Sequence, residues 1–401
     1  MIIPESRMSG YYKRAAGAAK LARFIGIGAF VLFLICCISV WRSYLTMDTV
    51  RVVAKYMDLA GSDNTPSNAS VTVSARGDAV YHVIGTDLAE VTAAGVTLYD
   101  FAGNRLYHYD YTYTTPASVS NGKLMAVYDA AGKGFALYSG VSRVYEETFD
   151  YPVRFACLND MGCFAVVTTE KTYRGGVVVY DRDFRETFRW MSADRYVMAA
   201  AINGNASRVA CAAFKSDNGG FLTSILLYDT ASGELKAEAS LIDELPLAIR
   251  YTEDGTCLRV LTDGALRLYD AELNEEAAAP YYAAGAVFFR DFGEKFLLVE
   301  RPTLAGNAMT AKLYGERLAL ETTVTSDRKI LDAAYENGVL YILTPEALAA
   351  YDVSGGEPQL LGEKPLAMQY KAVKADAYGR FILIGGKKAS RDATAALAEK
   401  S

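Results

Sequence analysis

The chain has 401 residues, of which 51% are apolar and 22% are charged, proportions that are normal for a packed globular protein. Its formal net charge is −6, but residues 1–42 carry +5, so the rest of the chain holds −11. An acidic body of this kind repels phosphate backbones and argues against nucleic-acid binding, and two histidines are too few for a histidine-rich metal site.

The N-terminal part predicts a membrane anchor. Residues 24–41 form an uncharged apolar run of 18 residues between Arg23 and Arg42, just long enough to cross a bilayer as a helix. Five Lys or Arg residues within 1–23 place that short segment in the cytoplasm and the remainder of the chain outside it. Because no small-x-small cleavage site follows, we expect an uncleaved signal anchor in the cell membrane and not a signal peptide.

The next stretch, residues 42–70, predicts a stalk and linker. Residues 43–59 fit a short helix or one strand, whereas residues 60–70 (AGSDNTPSNAS) are small and polar. We therefore expect the folded body to begin near residue 71.

From residue 71 onward, short β-rich runs alternate with Gly, Asn and Asp turns, and one motif recurs. It is an apolar strand that ends in Tyr, usually followed by Asp, as in VTLYD, VVVYD and ILLYD. The seven motif tyrosines are spaced 37 to 48 residues apart, 42 on average. They are Tyr99, Tyr138, Tyr180, Tyr228, Tyr269, Tyr314 and Tyr351. The recurring Asp predicts a turn-forming role, because a ring of equivalent residues is not a catalytic constellation.

A second marker keeps nearly the same period, about 43 residues. It is a turn glycine that precedes each motif tyrosine, with one further copy near the C-terminus. The glycines are Gly77, Gly122, Gly162, Gly204, Gly255, Gly293, Gly338 and Gly379. A period of 40–45 residues with four short strands is typical of a β-propeller blade.

One repeat shows its four strands directly: VRFACL, CFAVVTT, GGVVVYD and ETFRWM, with NDMG as the first turn. The prediction is thus an all-β propeller of seven, possibly eight, four-stranded blades over residues 71–386. The extra strands near the C-terminus either complete the first blade or begin an eighth. Residues 387–401 show no strand pattern and predict a flexible tail.

A few residues are candidates for disulfide, metal-binding or catalytic sites. Cys36 and Cys37 lie in the apolar run. Cys157 and Cys163 flank a predicted turn, where they could form a disulfide or remain buried thiols, and we favour buried thiols. The Asp-rich turns at 215–220 and 252–256 lack the spacing of an EF-hand, and 216–223 lacks that of a sialidase Asp box. We predict no catalytic, cofactor-binding or metal-binding residues and no cofactor.

The Tyr-Asp-turn-Gly cadence over residues 71–386 resembles that of WD-repeat and quinoprotein-like propellers. Together with the basic N-terminus and single membrane segment, the chain also resembles an uncharacterised family of membrane-anchored β-propeller proteins from Gram-positive bacteria. The resemblance implies an extracytoplasmic location and assigns no chemistry. The chain departs from true WD repeats because Tyr-Asp stands for Trp-Asp and Gly-His pairs are missing.

Tyrosine is abundant, at 28 residues, with clusters at 107–113 and 281–282. We expect most tyrosines to fill the spaces between blades and some exposed ones to form a contact with a protein or glycan. The predicted function is a tethered, non-enzymatic binding or scaffold module for an envelope protein or cell-wall glycan. The alternatives are a cell-surface hydrolase or lyase with its site on the propeller axis, and a sensor that signals through a partner.

Overall fold

The computed structural model describes residues 20–33, 35–36, 70–74, 77–217, 219–302, 306–376 and 380–392. The chain divides into two compact units, residues 1–63 and 64–401.

In the first unit, residues 20–33 and 35–36 are helical, and their large apolar side chains are exposed, as at Phe24 (74%) and Leu32 (65%). Of the helical residues that are described, none belongs to a helix with both the length and the apolar character that a bilayer crossing needs. The predicted crossing at 24–41 thus gains no support from them. Residue 34, residues 37–41 and the predicted stalk at 42–59 lie outside the described residues.

The second unit is an eight-bladed β-propeller in which every blade is a four-stranded antiparallel sheet. The first blade comprises β2 (Val80–Ile84), β3 (Asp87–Thr92), β4 (Gly95–Tyr99) and β5 (Arg105–Asp110). The second comprises β6 (Pro116–Ser120), β7 (Leu124–Asp129), β8 (Gly134–Ser139) and β9 (Arg143–Thr148). The third comprises β10 (Val153–Leu158), β11 (Phe164–Thr168), β12 (Gly175–Tyr180) and β13 (Glu186–Ser192). The fourth comprises β14 (Tyr196–Ile202), β15 (Arg208–Asp217), β16 (Gly220–Asp229) and β17 (Leu235–Ile242).

The remaining blades repeat the same order. The fifth comprises β18 (Pro246–Tyr251), β19 (Leu258–Thr262), β20 (Ala265–Tyr269) and β21 (Glu275–Pro280). A 3₁₀ turn (Ala283–Gly285) leads to the sixth, with β22 (Ala286–Asp291), β23 (Phe296–Glu300), β24 (Met309–Tyr314) and β25 (Leu320–Ser326). The seventh comprises β26 (Asp332–Glu336), β27 (Val339–Leu343), β28 (Ala347–Asp352) and β29 (Gln359–Pro365). The eighth joins β30 (Tyr370–Ala375), β31 (Phe381–Gly385) and β32 (Lys388–Asp392) to β1 (Ser70–Thr72).

The eighth blade takes strands from both ends of the propeller. β1 pairs antiparallel with β32, with Val71 opposite Ala389 and Thr72 opposite Lys388. The prediction that residues 387–401 have no strand is wrong for 388–392, while 393–401 lie outside the described residues. The C-terminal strands thus form an eighth blade and do not complete the first one, because they belong to a sheet of their own.

The first strands of the blades line the inside of the ring. Neighbouring first strands contact each other, as β10 does β14, β14 does β18, and β2 does both β6 and β30. The fourth strands, and β1 in the eighth blade, are therefore outermost. Since neighbouring strands run antiparallel, the turn between the first and second strands lies on the same side of the ring as the turn between the third and fourth. The turn between the second and third strands lies on the opposite side.

The motif tyrosines mark one structural position. Each is the last or the next-to-last residue of the third strand of its blade, and at each the pairing with the fourth strand shifts register, as between Val179 and Tyr180. This β-bulge recurs in all seven motif blades. The Asp that follows holds the next turn: Asp181 accepts hydrogen bonds from the backbone N–H groups of Asp183 and Arg185. The predicted turn-forming role of these aspartates is confirmed.

Six of the eight glycine markers lie between the first and second strands of a blade, and Gly379 lies outside the described residues. Gly77 lies in a turn, but that turn precedes β2. The equivalent turn of the first blade, between Ile84 and Asp87, contains Gly85 with φ +61°. That left-handed conformation is the one for which a glycine is favoured.

The cores lie between blades, because each sheet presents apolar side chains on both faces. One cluster combines Ala165 and Val177 of the third blade with Val209 and Cys211 of the fourth, all 0% exposed. Phe164 and Tyr180 of the third blade stack with ring centroids 4.6 Å apart and pack against the second blade. The four strands read from the sequence in the third blade agree with β10 to β13 to within a residue at nearly every end.

The cysteines of the propeller are free thiols, namely Cys157, Cys163, Cys211 and Cys257. Burial raises the pKa of Cys157 to about 12, which keeps this thiol protonated and inert as a nucleophile. The favoured expectation of buried thiols fits this arrangement.

Candidate protein-binding surface

The fourth blade carries a hairpin that is longer than its counterparts. β15 and β16 have 10 residues each, whereas the second and third strands of the other blades have five or six. The ladder continues without interruption from Arg208 paired with Asp229 to Asp217 paired with Gly220. Gly219, with φ +92°, lies in the connecting turn. The extra residues therefore extend the hairpin on the side of the ring where second and third strands connect.

Three aromatic side chains share one face of this hairpin, and we call them the aromatic row: Tyr196, Phe214 and Phe221. Tyr196 pairs directly with Phe214, and Phe221 pairs with Ser216, two residues further along the same strand. The ring centroids of Tyr196 and Phe214 lie 5.5 Å apart, and those of Phe214 and Phe221 lie 6.4 Å apart. Tyr196 is 38% exposed and Phe221 36%, so the row presents a continuous aromatic surface to solvent.

Arg174 of the third blade completes this surface. Its guanidinium carbon lies 4.8 Å from the ring centroid of Tyr196, and its Nη1 donates a hydrogen bond to the Tyr196 hydroxyl. The neighbouring Tyr173 is 43% exposed. Tyrosine and arginine are enriched among the residues that dominate protein–protein binding energy, because they combine large contact area with directional polar groups.

Two cations, Lys171 and Arg174, lie in the loop before β12, whereas Lys215 alternates with Phe214 along β15 and so lies on the other face of the hairpin. Among the ion pairs between described residues, none involves Lys171, Arg174 or Lys215. Asp217 and Asp243 lie at the hairpin as well, and Asp243 is already occupied as the acceptor of the Phe221 backbone N–H. This local set of cations contrasts with the acidic body of the chain.

The predicted tyrosine clusters are largely structural. Tyr107 is 2% exposed and donates a hydrogen bond to the Ser139 carbonyl, 2.8 Å away, while Tyr111 stacks on Tyr113 at 4.0 Å. Tyr281 donates to the Thr262 carbonyl. Of the two clusters, Tyr282 is the strongly exposed member, at 65%. Most of these rings fill space within or between blades, as expected, and the aromatic row lies elsewhere.

Ion pairs that involve residues of the innermost strands join neighbouring blades. Asp332, 1% exposed, accepts hydrogen bonds from Arg290, and Asp291 lies 3.4 Å from the buried guanidinium of Arg259. Burial lowers the pKa of Lys374 and lowers that of His82 to about 4. Because Asp332 and Asp291 are matched to arginines, they give no support to the alternative of a hydrolase or lyase on the axis.

The Asp-rich turns do not come together as a metal site. Asp254 accepts hydrogen bonds from the side chains of Thr252 and Thr256, which lower its pKa to about 2. Residues 215–217 and 219–220 lie at the end of the β15–β16 hairpin. Among the described residues, no group of three or more His, Cys, Asp or Glu side chains is placed to bind a metal ion.

Sequence reasoning missed the aromatic row, although a signal for it was present. The interval from Tyr180 to Tyr228, 48 residues, is the longest between motif tyrosines. The added length lies partly in β15 and β16, which makes the fourth blade's hairpin protrude. An extended repeat in a propeller is a natural place to look for a binding feature.

Comparison with known proteins places this architecture in context. Residues 63–283, more than half of the chain, match DUF5711, a family of unknown function, and the chain belongs to that family. No curated protein sequence matches the chain.

Solved structures share the fold at very low identity. The computationally designed Ika8 protein is 10% identical with a TM-score of 0.58, and the match covers 82% of this chain and 100% of Ika8. The C-terminal WD40 domain of Sif2 is 9% identical (TM-score 0.54; 80% and 94% covered), and Saccharomyces cerevisiae Sqt1 is 8% identical (0.57; 82% and 99%). At these identities the likeness establishes a WD40-like propeller fold and nothing about ligands.

Proposed function

We propose that this member of the DUF5711 family is a non-enzymatic protein-binding propeller whose contact surface is the aromatic row with Arg174. The observation that carries the proposal is the extended hairpin of the fourth blade, which holds Tyr196, Phe214 and Phe221 side by side at the solvent boundary. A rigid ring presents such side chains with little loss of conformational entropy on binding. The WD40-like fold supports a binding or scaffold role in general terms.

The partner of this surface is a protein segment that presents an apolar side chain next to acidic residues. The apolar side chain packs on the exposed rings of Tyr196 and Phe221. The acidic neighbours pair with Lys171 and Arg174, which have no ion-pair partner among the described residues. Complementary charge of this kind sets orientation and association rate more than affinity.

The same proposal includes a membrane tether at the N-terminus and a propeller outside the cytoplasm, facing envelope proteins. Its support is the uncharged run at 24–41 and the basic residues within 1–23. Fractionation of cells that express the full chain tests the tether, and added protease tests the side. Recovery in the soluble fraction, or a propeller that is protected in intact cells and cut only after lysis, contradicts this part.

A peptide-display selection against the purified full-length protein tests the binding surface. We expect selected peptides to combine an aromatic or aliphatic residue with Asp or Glu, and their affinity to fall about tenfold or more for Phe221→Ala and for Arg174→Gln. The matched control is Met161→Ala, which removes another exposed apolar side chain (58%) in the first turn of the third blade, on the opposite side of the ring. Peptides without this pattern, or an equal effect of the control, overturn the proposal.

A further inference from the structure

A cavity of about 250 Å³ opens between the fourth and fifth blades. Its walls come from the turn after β14, the turn after β18 and the turn after β20, together with side chains of β15, β16, β18 and β19. Because these turns connect first to second and third to fourth strands, the cavity lies on the side of the ring opposite the aromatic row. It is therefore independent of the surface proposed above.

The cavity has one available cation. Arg208, the first residue of β15, donates from Nη1 to the Ala271 carbonyl at 3.3 Å. No ion pair between described residues involves its guanidinium. Asp270 also lines the cavity, but its carboxylate accepts the backbone N–H groups of Glu272 and Asn274 and the Asn274 side-chain amide. Among the described residues, the guanidinium has no hydrogen-bond acceptor other than the Ala271 carbonyl.

A second group in the cavity has no partner. The Tyr251 hydroxyl is removed from solvent and makes no hydrogen bond with any described residue. Burial raises the pKa of Tyr251 and the charge of Arg208 opposes this rise, so the two groups lie near each other. A buried hydroxyl is normally hydrogen-bonded, and this one remains a donor throughout the physiological pH range.

The rest of the lining is apolar. Leu227, Leu258 and Leu273 contribute to the cavity wall and are each at most 6% exposed. Their presence beside Arg208 and Tyr251 gives the cavity a polar end and an apolar end, the arrangement typical of sites for small organic ligands.

We propose that this cavity binds a small carboxylate with a short apolar body. The planar guanidinium of Arg208 matches the two carboxylate oxygens. The apolar body lies against Leu227, Leu258 and Leu273. A phosphate dianion fits less well, because a single guanidinium offers few donors and the charge of Asp270 repels a second negative charge. The volume limits the ligand to about the size of phenylacetate.

Calorimetric titration and thermal unfolding of the purified full-length protein test this inference with acetate, propionate and phenylacetate as probes. We expect phenylacetate to bind and to raise the melting temperature in a concentration-dependent way. Its neutral counterpart, phenylacetamide, has the same shape and is expected to bind at least about tenfold more weakly, because it lacks the charge.

Variants assign the binding to this cavity. Arg208→Gln is expected to weaken phenylacetate binding about tenfold or more. Lys236→Gln is the matched control: it removes an exposed lysine of the same blade, paired with Glu234, and leaves the cavity intact. If Arg208→Gln does not fold, Arg208→Lys, which keeps the charge without the planar fork, is expected to bind with intermediate affinity.

Three outcomes overturn the inference. The first is that none of the carboxylates binds at concentrations up to about 10 mM, a range that covers weak small-ligand affinities. The second is that phenylacetate and phenylacetamide bind with equal affinity. The third is that the Arg208 and Lys236 variants lose phenylacetate affinity to the same extent. None of these outcomes bears on the aromatic row, so the two proposals stand or fall separately.

Discussion

Arg290 donates a hydrogen bond from Nε to Oδ1 of Asp332 at 2.9 Å, and this contact joins the innermost strands of the sixth and seventh blades. The other carboxylate oxygen of Asp332 accepts the backbone N–H of Val373, on the innermost strand of the eighth blade, at 3.1 Å. One carboxylate therefore connects three consecutive blades. Its burial, 1% exposed, makes each of these bonds costly to lose.

Asp332→Ala is expected to lower the free energy of unfolding by about 3–5 kcal/mol, because it leaves a charged guanidinium and a buried N–H without their acceptor. Urea unfolding followed by circular dichroism measures this change. Asp160→Ala, in an exposed turn of the third blade, is expected to stay within about 0.5 kcal/mol of the wild type. Equal effects of the two substitutions contradict the role of Asp332 as a connector.

Val71→Asp is expected to destabilise the propeller by about 3 kcal/mol, since it places an unpaired charge at a position that is 2% exposed between β32 and the first blade. Thr72→Asp introduces the same charge one residue further along β1, where the side chain is exposed, and is expected to have little effect. Limited proteolysis and thermal unfolding report the difference. Similar stabilities for the two variants argue against closure of the ring by β1.

His82 is expected to make the propeller sensitive to acid. Burial, with the charge of Lys374, lowers its pKa from 6.5 to about 4, and its Nε2 lies 2.8 Å from Ser118 Oγ. The unfolded chain therefore binds a proton between these pH values and the folded chain does not. The contribution is fully present above pH 6.5 and is lost as pH falls toward 4, by up to about 3 kcal/mol.

Urea unfolding at a series of pH values measures this effect. His82→Gln is expected to flatten the dependence of stability on pH between about 6.5 and 4. The matched control is His108→Gln, which replaces the chain's other histidine, on the outermost strand of the same blade. An unchanged profile in the His82 variant removes this residue as the cause.

Tyr180→Ala is expected to cost about 3–5 kcal/mol, because the ring stacks on Phe164 at 4.6 Å with an interplanar angle of 5° and fills the space between blades. Tyr180→Phe keeps the ring and is expected to cost about 1 kcal/mol or less. Chemical denaturation of the pair separates packing from the hydroxyl. A large loss in the Phe variant instead assigns the motif tyrosine a polar role.

Much of the fold was predictable because its repeat is marked by residues that are close together in the sequence. The bulge at each motif tyrosine and the turn-binding aspartates depend on residues adjacent in sequence, so their period of about 42 residues identified the blades. The closure of the eighth blade depends instead on a pairing between Val71 and Ala389 that no local pattern encodes. β32 is polar at Lys388, Ser390 and Arg391, which hid it among tail residues.

The candidate surface was harder to predict than the fold. Tyrosine content pointed to clusters at 107–113 and 281–282, yet burial depends on which blade faces which, and Tyr107 is almost fully covered. Tyr196, Phe214 and Phe221 share one face only in the observed strand register. A shift of one residue would move side chains to the other face, and the sequence alone does not decide between the two registers. The cavity at Arg208 and Tyr251 arises between two blades and has no signature in either one.

The pairing of β1 with β32 also determines when the ring can close during translation. Residue 70 leaves the ribosome long before residue 388, and at about 5–20 residues per second the delay is on the order of tens of seconds. Throughout that interval the ring is open and β1 lacks its partner strand β32. The unpaired strand edges of the terminal blades can then pair with other polypeptides. Chaperone protection of the nascent chain is therefore most needed until β32 has been synthesised and can pair with β1.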